Sequence, residues 1–328
     1  MDNDVLIIGG GIHGCLIGIA LRLRGGVHRM QILDPEEELL GAWFRHTSVT
    51  GMTHLRSGSS HGLAPDFHDM RRYRAMHPKW QHEPLRPPYA RPPLGLFNAH
   101  ARQRIVEAGL DRLHLQTRAR RIRPIADGYH VETDEGVLTT KTVVLATGPS
   151  AGLCIPKGFD SRTHIFHPDF RMPHGGHKEM CVAGGGISAC QIALRLLDEH
   201  LTERVRIRAP HQMKVQQFDI EPCFIGPACL QGFEEITDPV QRLTVMESHR
   251  YPGTVPPAVA VRIEAAIEAG SLIWEEGLAA HSTDSYTILA TGFRSHPRRD
   301  PLIEELDEAI EAGEVDELPG GEDRQSAR

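Results

Sequence analysis

The stretch from Val5 to Asp34 leaves this chain few ways to fold. Val5-Leu6-Ile7-Ile8 is an unbroken apolar run rich in β-branched residues, as expected of a parallel strand buried on both faces. Gly9-Gly10-Gly11-Ile12-His13-Gly14 follows directly. From Cys15 to Arg24, residues Leu16, Ile17, Ala20, Leu21 and Leu23 form one helical stripe, which Gly25-Gly26 ends. Met30 to Leu33 reads as a second strand that stops at Asp34. Strand, glycine turn, helix and strand make a βαβ unit, which commits the chain to a parallel sheet with helices on its faces. Each element of Gly9-x-Gly11-x-x-Gly14 has a physical role. Gly9 permits the tight turn, Gly11 lets a pyrophosphate approach the backbone, and Gly14 lets helix and strand pack closely. The helix N-terminus then faces the phosphates. Asp34, about 20 residues beyond Gly14, is placed to accept hydrogen bonds from the adenosine ribose hydroxyls.

The pattern recurs. Met180-Cys181-Val182-Ala183 leads into Gly184-Gly185-Gly186-Ile187-Ser188-Ala189, then a helix to about Leu201 and a strand over Val205 to Ala209. Gly184-x-Gly186-x-x-Ala189 is the same device with alanine third. Counting from Gly184 as Asp34 counts from Gly9 lands on Ala209, so no carboxylate stands at the ribose position. Arg206, Arg208 and His211 surround it. Arginines there would pair with a 2′-phosphate, which favours NADPH and leaves NADH possible. The plainer alternative is that Arg206 and Arg208 form the solvated face of an edge strand.

Residues 36–93 read as one long irregular region, dense in Gly, Ser and His and then studded with proline. Pro87-Pro88 and Pro92-Pro93 speak against helix or central strand. A helix is expected over Leu96–Ala108. Strands are expected over Leu113–Ile125, Tyr129–Thr133 and Val137–Thr142, the last two joined by an Asp134-Glu135-Gly136 turn. Val143-Val144-Leu145 runs into Ala146-Thr147-Gly148. A further helix spans Ala258–Ala269, and a strand over Tyr286–Leu289 runs into Ala290-Thr291-Gly292-Phe293. The tail beyond Pro301 reads as an acidic helix and a polar end.

Composition narrows the class. The 328 residues are 40% hydrophobic and 24% charged, enough for a sizeable core. With 36 basic and 43 acidic residues the net charge is −7, which argues against nucleic acid as a partner. No apolar run is long enough for a membrane span, and the acidic start does not look like a signal peptide. The six cysteines contain no Cys-x-x-Cys, so a reducing cytoplasm is the expectation and a dithiol centre is not. The 20 histidines show no His-Glu-x-x-His spacing, and no metal site is expected.

Two fingerprints in one chain suggest two dinucleotides held face to face, the arrangement by which a nicotinamide reduces a flavin. The order of motifs resembles the two-dinucleotide-binding flavoproteins: first fingerprint, Ala146-Thr147-Gly148, second fingerprint, Ala290-Thr291-Gly292-Phe293. The final Ala-Thr-Gly-aromatic resembles class B flavin monooxygenases. Gly41-Ala42-Trp43 and Gly51-Met52-Thr53-His54-Leu55-Arg56-Ser57 are similar to their N-hydroxylating ornithine and lysine branch. The implied fold is α/β: two Rossmann-like dinucleotide-binding domains, three-layer with mostly parallel sheets, one inserted in the other. Residues 1–158 and 278–328 would bind FAD, and 159–277 NAD(P)H.

The resemblance implies an FAD-dependent, NAD(P)H-using monooxygenase that oxidises an amine or other soft nucleophile through a flavin C4a-hydroperoxide. It implies flavin contacts for Trp43, Met52 and His54, and close approach to FAD at Thr147, Gly148 and Gly292. Trp43 reads equally as a core aromatic, and His54 as a loop residue. The chain departs from the branch at Thr53, where the amine hydroxylases carry glutamine, and residues 304–328 lack the usual final strand and Gly-rich turn. Two alternatives stay open: an NAD(P)H:acceptor flavin oxidoreductase that does not oxygenate, and a non-catalytic nucleotide-binding protein with a degenerate flavin pocket. The partner in the enzymatic readings is a small-molecule substrate.

Overall fold

The computed structural model describes residues 2–149, 152–225, 227–277, 286–294 and 302. It divides into two compact units. The first takes Met1–Ser48, Met52–Gly152 and the described residues from Arg294 on; the second takes Val49–Gly51 and Leu153–Phe293.

In the first unit, β1 (Asn3–Ile8), α1 (Ile12–Leu23) and β2 (Met30–Asp34) form the expected βαβ unit. Three helices follow, α2 (Gly41–Thr50), α3 (Asp69–Met76) and α4 (Pro78–Gln81), and then α5 (Leu94–Glu107). The strands β3 (His114–Gln116), β4 (Ala119–Ile125), β5 (Gly128–Thr133) and β6 (Gly136–Leu145) complete a sheet of order β3-β2-β1-β6-β5-β4. β3, β2, β1 and β6 are parallel, while β4, β5 and β6 form an antiparallel meander.

The composition of β1 now has its reason. Alternate residues of a strand face opposite ways. Val5 and Ile7 enter a core with Cys15 and Ile19 of α1 and Phe97, Ala101 and Ile105 of α5. Leu6 and Ile8 enter another, with Ala119 and Ile122 of β4 and Val131 of β5. The sheet is covered on both faces along Val5–Ile8, and that run carries no polar residue.

In the second unit β7 (His177–Ala183), α6 (Ile187–Asp198) and β8 (Thr202–Ala209) repeat the βαβ unit. Next come the short β9 (Lys214–Val215), α7 (Pro227–Glu234), α8 (Pro239–Ser248) and β10 (Thr254–Val255), which pairs with β9. They are followed by α9 (Pro257–Glu268), β11 (Leu272–Glu276) and β12 (Tyr286–Leu289). The sheet is parallel, in the order β11-β8-β7-β12. Met180, Val182, Val205, Ile207 and Ile288 share one core with α6 and α9.

Three expectations change. The irregular region holds three short helices, α2, α3 and α4, while the stretches 51–68 and 82–93 carry no helix. The single strand over Leu113–Ile125 is two: β3 pairs with β2, whereas β4 pairs with β5. The described residues 286–293 do not belong to the first domain, whose second segment is expected from the sequence to begin at residue 278. β12 hydrogen-bonds along β7, Tyr286 opposite Met180 and Leu289 opposite Ala183, so the second unit runs to Phe293. The acidic tail lies outside the described residues. Cys223 and Cys229, too far apart to form a Cys-x-x-Cys, are joined by a disulfide. No helix among the described residues is long and apolar enough to cross a membrane, and no described cluster of His, Cys, Asp and Glu could hold a metal ion.

The place of β12 is testable. Ile288 is fully buried in the second core, so Ile288→Ala should destabilise the second unit by roughly 2–5 kcal/mol. With Trp43 and Trp80 changed to Phe, Trp274 on β11 is the one tryptophan left. Urea unfolding followed by its fluorescence should move to lower midpoint in Ile288→Ala; an unmoved transition would detach β12 from this sheet.

Candidate functional site

Both glycine turns are built on one plan. Gly9 leaves β1 at φ +110°, and a side chain there would put Cβ 2.2 Å from the Ala146 carbonyl oxygen. Gly184 leaves β7 at φ +140°, with the Ala290 oxygen 2.3 Å from the same point. Only glycine takes this backbone and this contact without strain. The hydrogen bonds match as well. Gly9 N–H donates to Leu33 O and Gly184 N–H to Arg208 O, each at 2.8 Å. Ala146 N–H donates to Ile8 O and Ala290 N–H to Ala183 O, again at 2.8 Å. Each Ala-Thr-Gly turn therefore seats against the first glycine of its own fingerprint. Gly292 lies three residues beyond β12 in the second unit, outside the unit expected to bind FAD.

The second glycine starts the helix in each case. Gly11 and Gly186 are extended N-caps of α1 and α6, with no side-chain cap on either helix. Free N–H groups and a positive dipole end are therefore presented at both turns. Here the copies diverge. A Cβ on Gly11 would meet nothing within 4 Å, whereas one on Gly186 would lie 3.5 Å from Gly253 Cα. The first cradle is open, and the second is lined by the chain's own backbone. The third positions differ too: a Cβ on Gly14 would lie 1.8 Å from Gly9 O, while Ala189 is accommodated fully buried.

Asp34 and Ala209 are geometric counterparts. A Cβ on Gly10 would lie 2.9 Å from Asp34 Cβ, and one on Gly185 would lie 2.9 Å from Ala209 Cβ. The Asp34 carboxylate accepts hydrogen bonds from Gly10 N–H (2.5 Å) and Glu36 N–H (2.9 Å). A carboxylate has about four acceptor positions, which leaves room for a ribose hydroxyl. The chain beyond Asp34 closes on the same turn, with Leu40 N–H donating to Gly10 O at 2.8 Å. No local sequence signal marks that contact.

Arg206 and Arg208 are already engaged by carboxylates of the sheet, which removes them as the partners expected for a 2′-phosphate. Arg206 is ion-paired with Glu179 at 2.9 Å and with Glu275, and Arg208 with Glu275 at 3.2 Å. The hydrogen bond from Arg206 pulls the Glu179 pKa down. β8 lies inside the sheet, and its arginines alternate with the core residues Val205, Ile207 and Ala209, so they belong to the sheet's polar face. The side chain that reaches the second turn is His211, whose ring would touch a Cβ on Gly185 at 3.1 Å and one on Gly253 at 3.0 Å.

Trp43 lies on α2, donates Nε1–H to Asn98 Oδ1 at 2.9 Å and packs against Phe97 at 5.3 Å. Trp43 and Met52 are half-buried against the α1–α5 core. His54 bridges to Pro93, and burial followed by the charges of Arg86 and Arg91 lowers its pKa. Thr147 and Gly148 follow β6 directly. The structure thus brings Gly9, Gly11, Gly14, Asp34 and the 146–148 turn together, and gives Trp43 a core role. Cys15 and Cys190 occupy matching positions just inside α1 and α6; burial pushes both thiols up to about 12, which leaves them unreactive.

Residues 6–150 match the profile of a family described as FAD-NAD(P)-binding. No curated protein matches the sequence. The solved ornithine N-hydroxylase of Kutzneria sp. 744, with reduced FAD, NADP+ and L-ornithine, is similar in fold. The TM-score is 0.70 at 17% identity, over 94% of this chain and 85% of that one. The ornithine hydroxylase of Pseudomonas aeruginosa gives 0.71 at 16% identity, over 93% and 86%. The bacillithiol disulfide reductase of Bacillus cereus gives 0.58 at 15% identity, over 93% and 81%. These likenesses show the fold alone, that of two Rossmann-like dinucleotide-binding units.

The two glycines of the first turn should separate in effect. Gly9→Ala meets a backbone oxygen at positive φ and should cost roughly 2–4 kcal/mol of stability. Gly11→Ala keeps an extended backbone in open space, so stability should stay within about 0.5 kcal/mol. FAD affinity should nonetheless fall by about tenfold or more in Gly11→Ala, because the new methyl occupies the phosphate approach. Thermal melting and FAD titration read the two effects; unchanged FAD affinity in a folded Gly11→Ala would remove the pyrophosphate from this turn.

Proposed function

We propose that this chain is an FAD-dependent, NADPH-using monooxygenase acting on an amine or another soft nucleophile. The observation that carries the reading is the paired glycine turn: two Rossmann cradles in one chain, the first open at Gly11 and flanked by Asp34 and Ala146-Thr147-Gly148. The family profile over residues 6–150 and the hydroxylase-like fold support it.

The residues fit FAD. The open face of Gly11 and the uncapped N-terminus of α1 would hold the pyrophosphate. Asp34 would accept a ribose hydroxyl with the lone pairs its backbone contacts leave. Thr147 and Gly148 stand at the carboxyl end of β6, where ligands of open α/β sheets bind. The turn at Gly184, Gly186 and Ala189 would hold NADPH, with Ala209 offering no carboxylate to repel a 2′-phosphate and His211 beside it. Bound there, FAD would supply the redox chemistry: acceptance of a hydride from NADPH and delivery of one atom of O2 to the nucleophile, with the other released as water. The protein's share is to position both nucleotides and exclude water. Hydride transfer itself needs no acid or base from the protein.

A second reading is favoured by Thr53, which stands where the amine hydroxylases carry glutamine: an NAD(P)H:acceptor oxidoreductase that reduces O2 only to peroxide. The experiment is aerobic turnover of the FAD-loaded protein with NADPH and a panel of primary amines, thioethers and ketones. Oxygen uptake, peroxide and oxygenated product are measured together. The monooxygenase reading predicts that one class raises NADPH oxidation and that product accounts for most of it. Peroxide equal to NADPH consumed with every compound would select the second reading.

A further inference from the structure

The proline-rich stretch before α5 holds an unusual charge. Arg91 is only 6% exposed. One guanidinium nitrogen donates to Pro87 O at 2.8 Å, and Nε–H is buried with no acceptor. No carboxylate pairs with Arg91 among the described residues. Its neighbour is instead another cation. Arg86 and Arg91 exchange both backbone hydrogen bonds, at 2.9 and 2.8 Å, as directly opposed residues of a two-stranded bridge. Opposed residues project to the same side, where like charges repel.

His54 completes the group. Leu55 N–H donates to Pro92 O at 3.0 Å and Leu94 N–H to Thr53 O at 2.8 Å, which lays His54 opposite Pro93. Arg86 and Arg91 both act on the imidazole, and the carboxylate that also bears on it, Glu83, is exposed. The turn that presents the arginines is itself strained: Tyr89 and Ala90 have φ of +65° and +50° without being glycine. Such strain persists where the surroundings hold it and gathers at ligand sites.

An uncompensated buried cation is costly. A fold keeps one when a ligand supplies the opposite charge. A guanidinium with a free Nε–H, beside a second guanidinium and an imidazole, matches the planar fork of an oxyanion. The geometry points to a binding site for one oxyanion group, a carboxylate or a phosphate, held by Arg91 with Arg86 and His54 at its rim. The site lies wholly in the first unit and is independent of what the flavin does to oxygen. Its group comes either from a free small molecule or from a phosphate of FAD.

The test uses the full chain, stripped of FAD and loaded with it, and reads thermal melting. The probes are inorganic phosphate and acetate, with sodium chloride at matched ionic strength. FAD-free wild type should melt higher with phosphate or acetate than with chloride. The apparent affinity should fall by about tenfold or more in Arg91→Met, the scale of one charge-assisted pair, and by less in the exposed Arg86→Gln. Arg91→Lys, a point charge without the fork, should fall between wild type and Arg91→Met. Protection that persists with FAD bound assigns the site to a free oxyanion; protection that FAD abolishes assigns it to the cofactor's phosphate. No anion-specific shift in wild type, or an equal shift in Arg91→Met and Arg86→Gln, would make Arg91 a structural cap of Pro87 and overturn the proposal.

Discussion

Everything at the first turn depends on one close approach: the Ala146 carbonyl lies where a side chain on residue 9 would have to be. It lets the turn after β6 nest against the turn after β1, and α1 then starts within a few residues of the strand end. The free N–H groups of α1, the Asp34 carboxylate and the small residues at 147–148 converge as a consequence. A methyl group at residue 9 would push them apart. The geometry of the turn thus rests on an absent side chain.

The second unit repeats the approach between Gly184 and Ala290 with nearly the same geometry and then departs from it in three places. Ala209 replaces the acid, the polar face of the sheet is filled by a Glu179–Arg206–Glu275–Arg208 network, and Gly253 lies against Gly186. The shared plan sets the class of ligand, and the departures are where the two sites become different. The arginines show the limit of a charge argument. A guanidinium near a phosphate site selects for phosphate only when no carboxylate has already claimed it.

The sequence made much of the fold legible, and the reason is local. β1 is apolar from Val5 to Ile8 because both of its faces are covered there, and the Gly9–Gly14 spacing follows from a backbone contact within a few residues. The same holds at Met180–Ala189, so the two cradles, Asp34 and Ala209 could be placed from the sequence. What escaped depends on contacts between distant segments. Nothing near Tyr286 says that its strand pairs with β7, and nothing near Gly253 says that it lies on Gly186. Arg206 and Arg208 read as free because Glu179 and Glu275 are far off in sequence. Arg91 carries no local sign of burial; its meaning comes from Arg86 across a tight turn and from the Thr53–Leu55 segment.

The most direct test of the account is anaerobic addition of NADPH to the FAD-loaded protein, followed by the flavin's visible absorbance. The account requires two dinucleotides in one chain with the nicotinamide as reductant of the flavin. It predicts that the yellow band bleaches on adding NADPH and returns with air. A protein that holds FAD but keeps its colour under excess NADPH and NADH, or one that never takes up FAD, would contradict it.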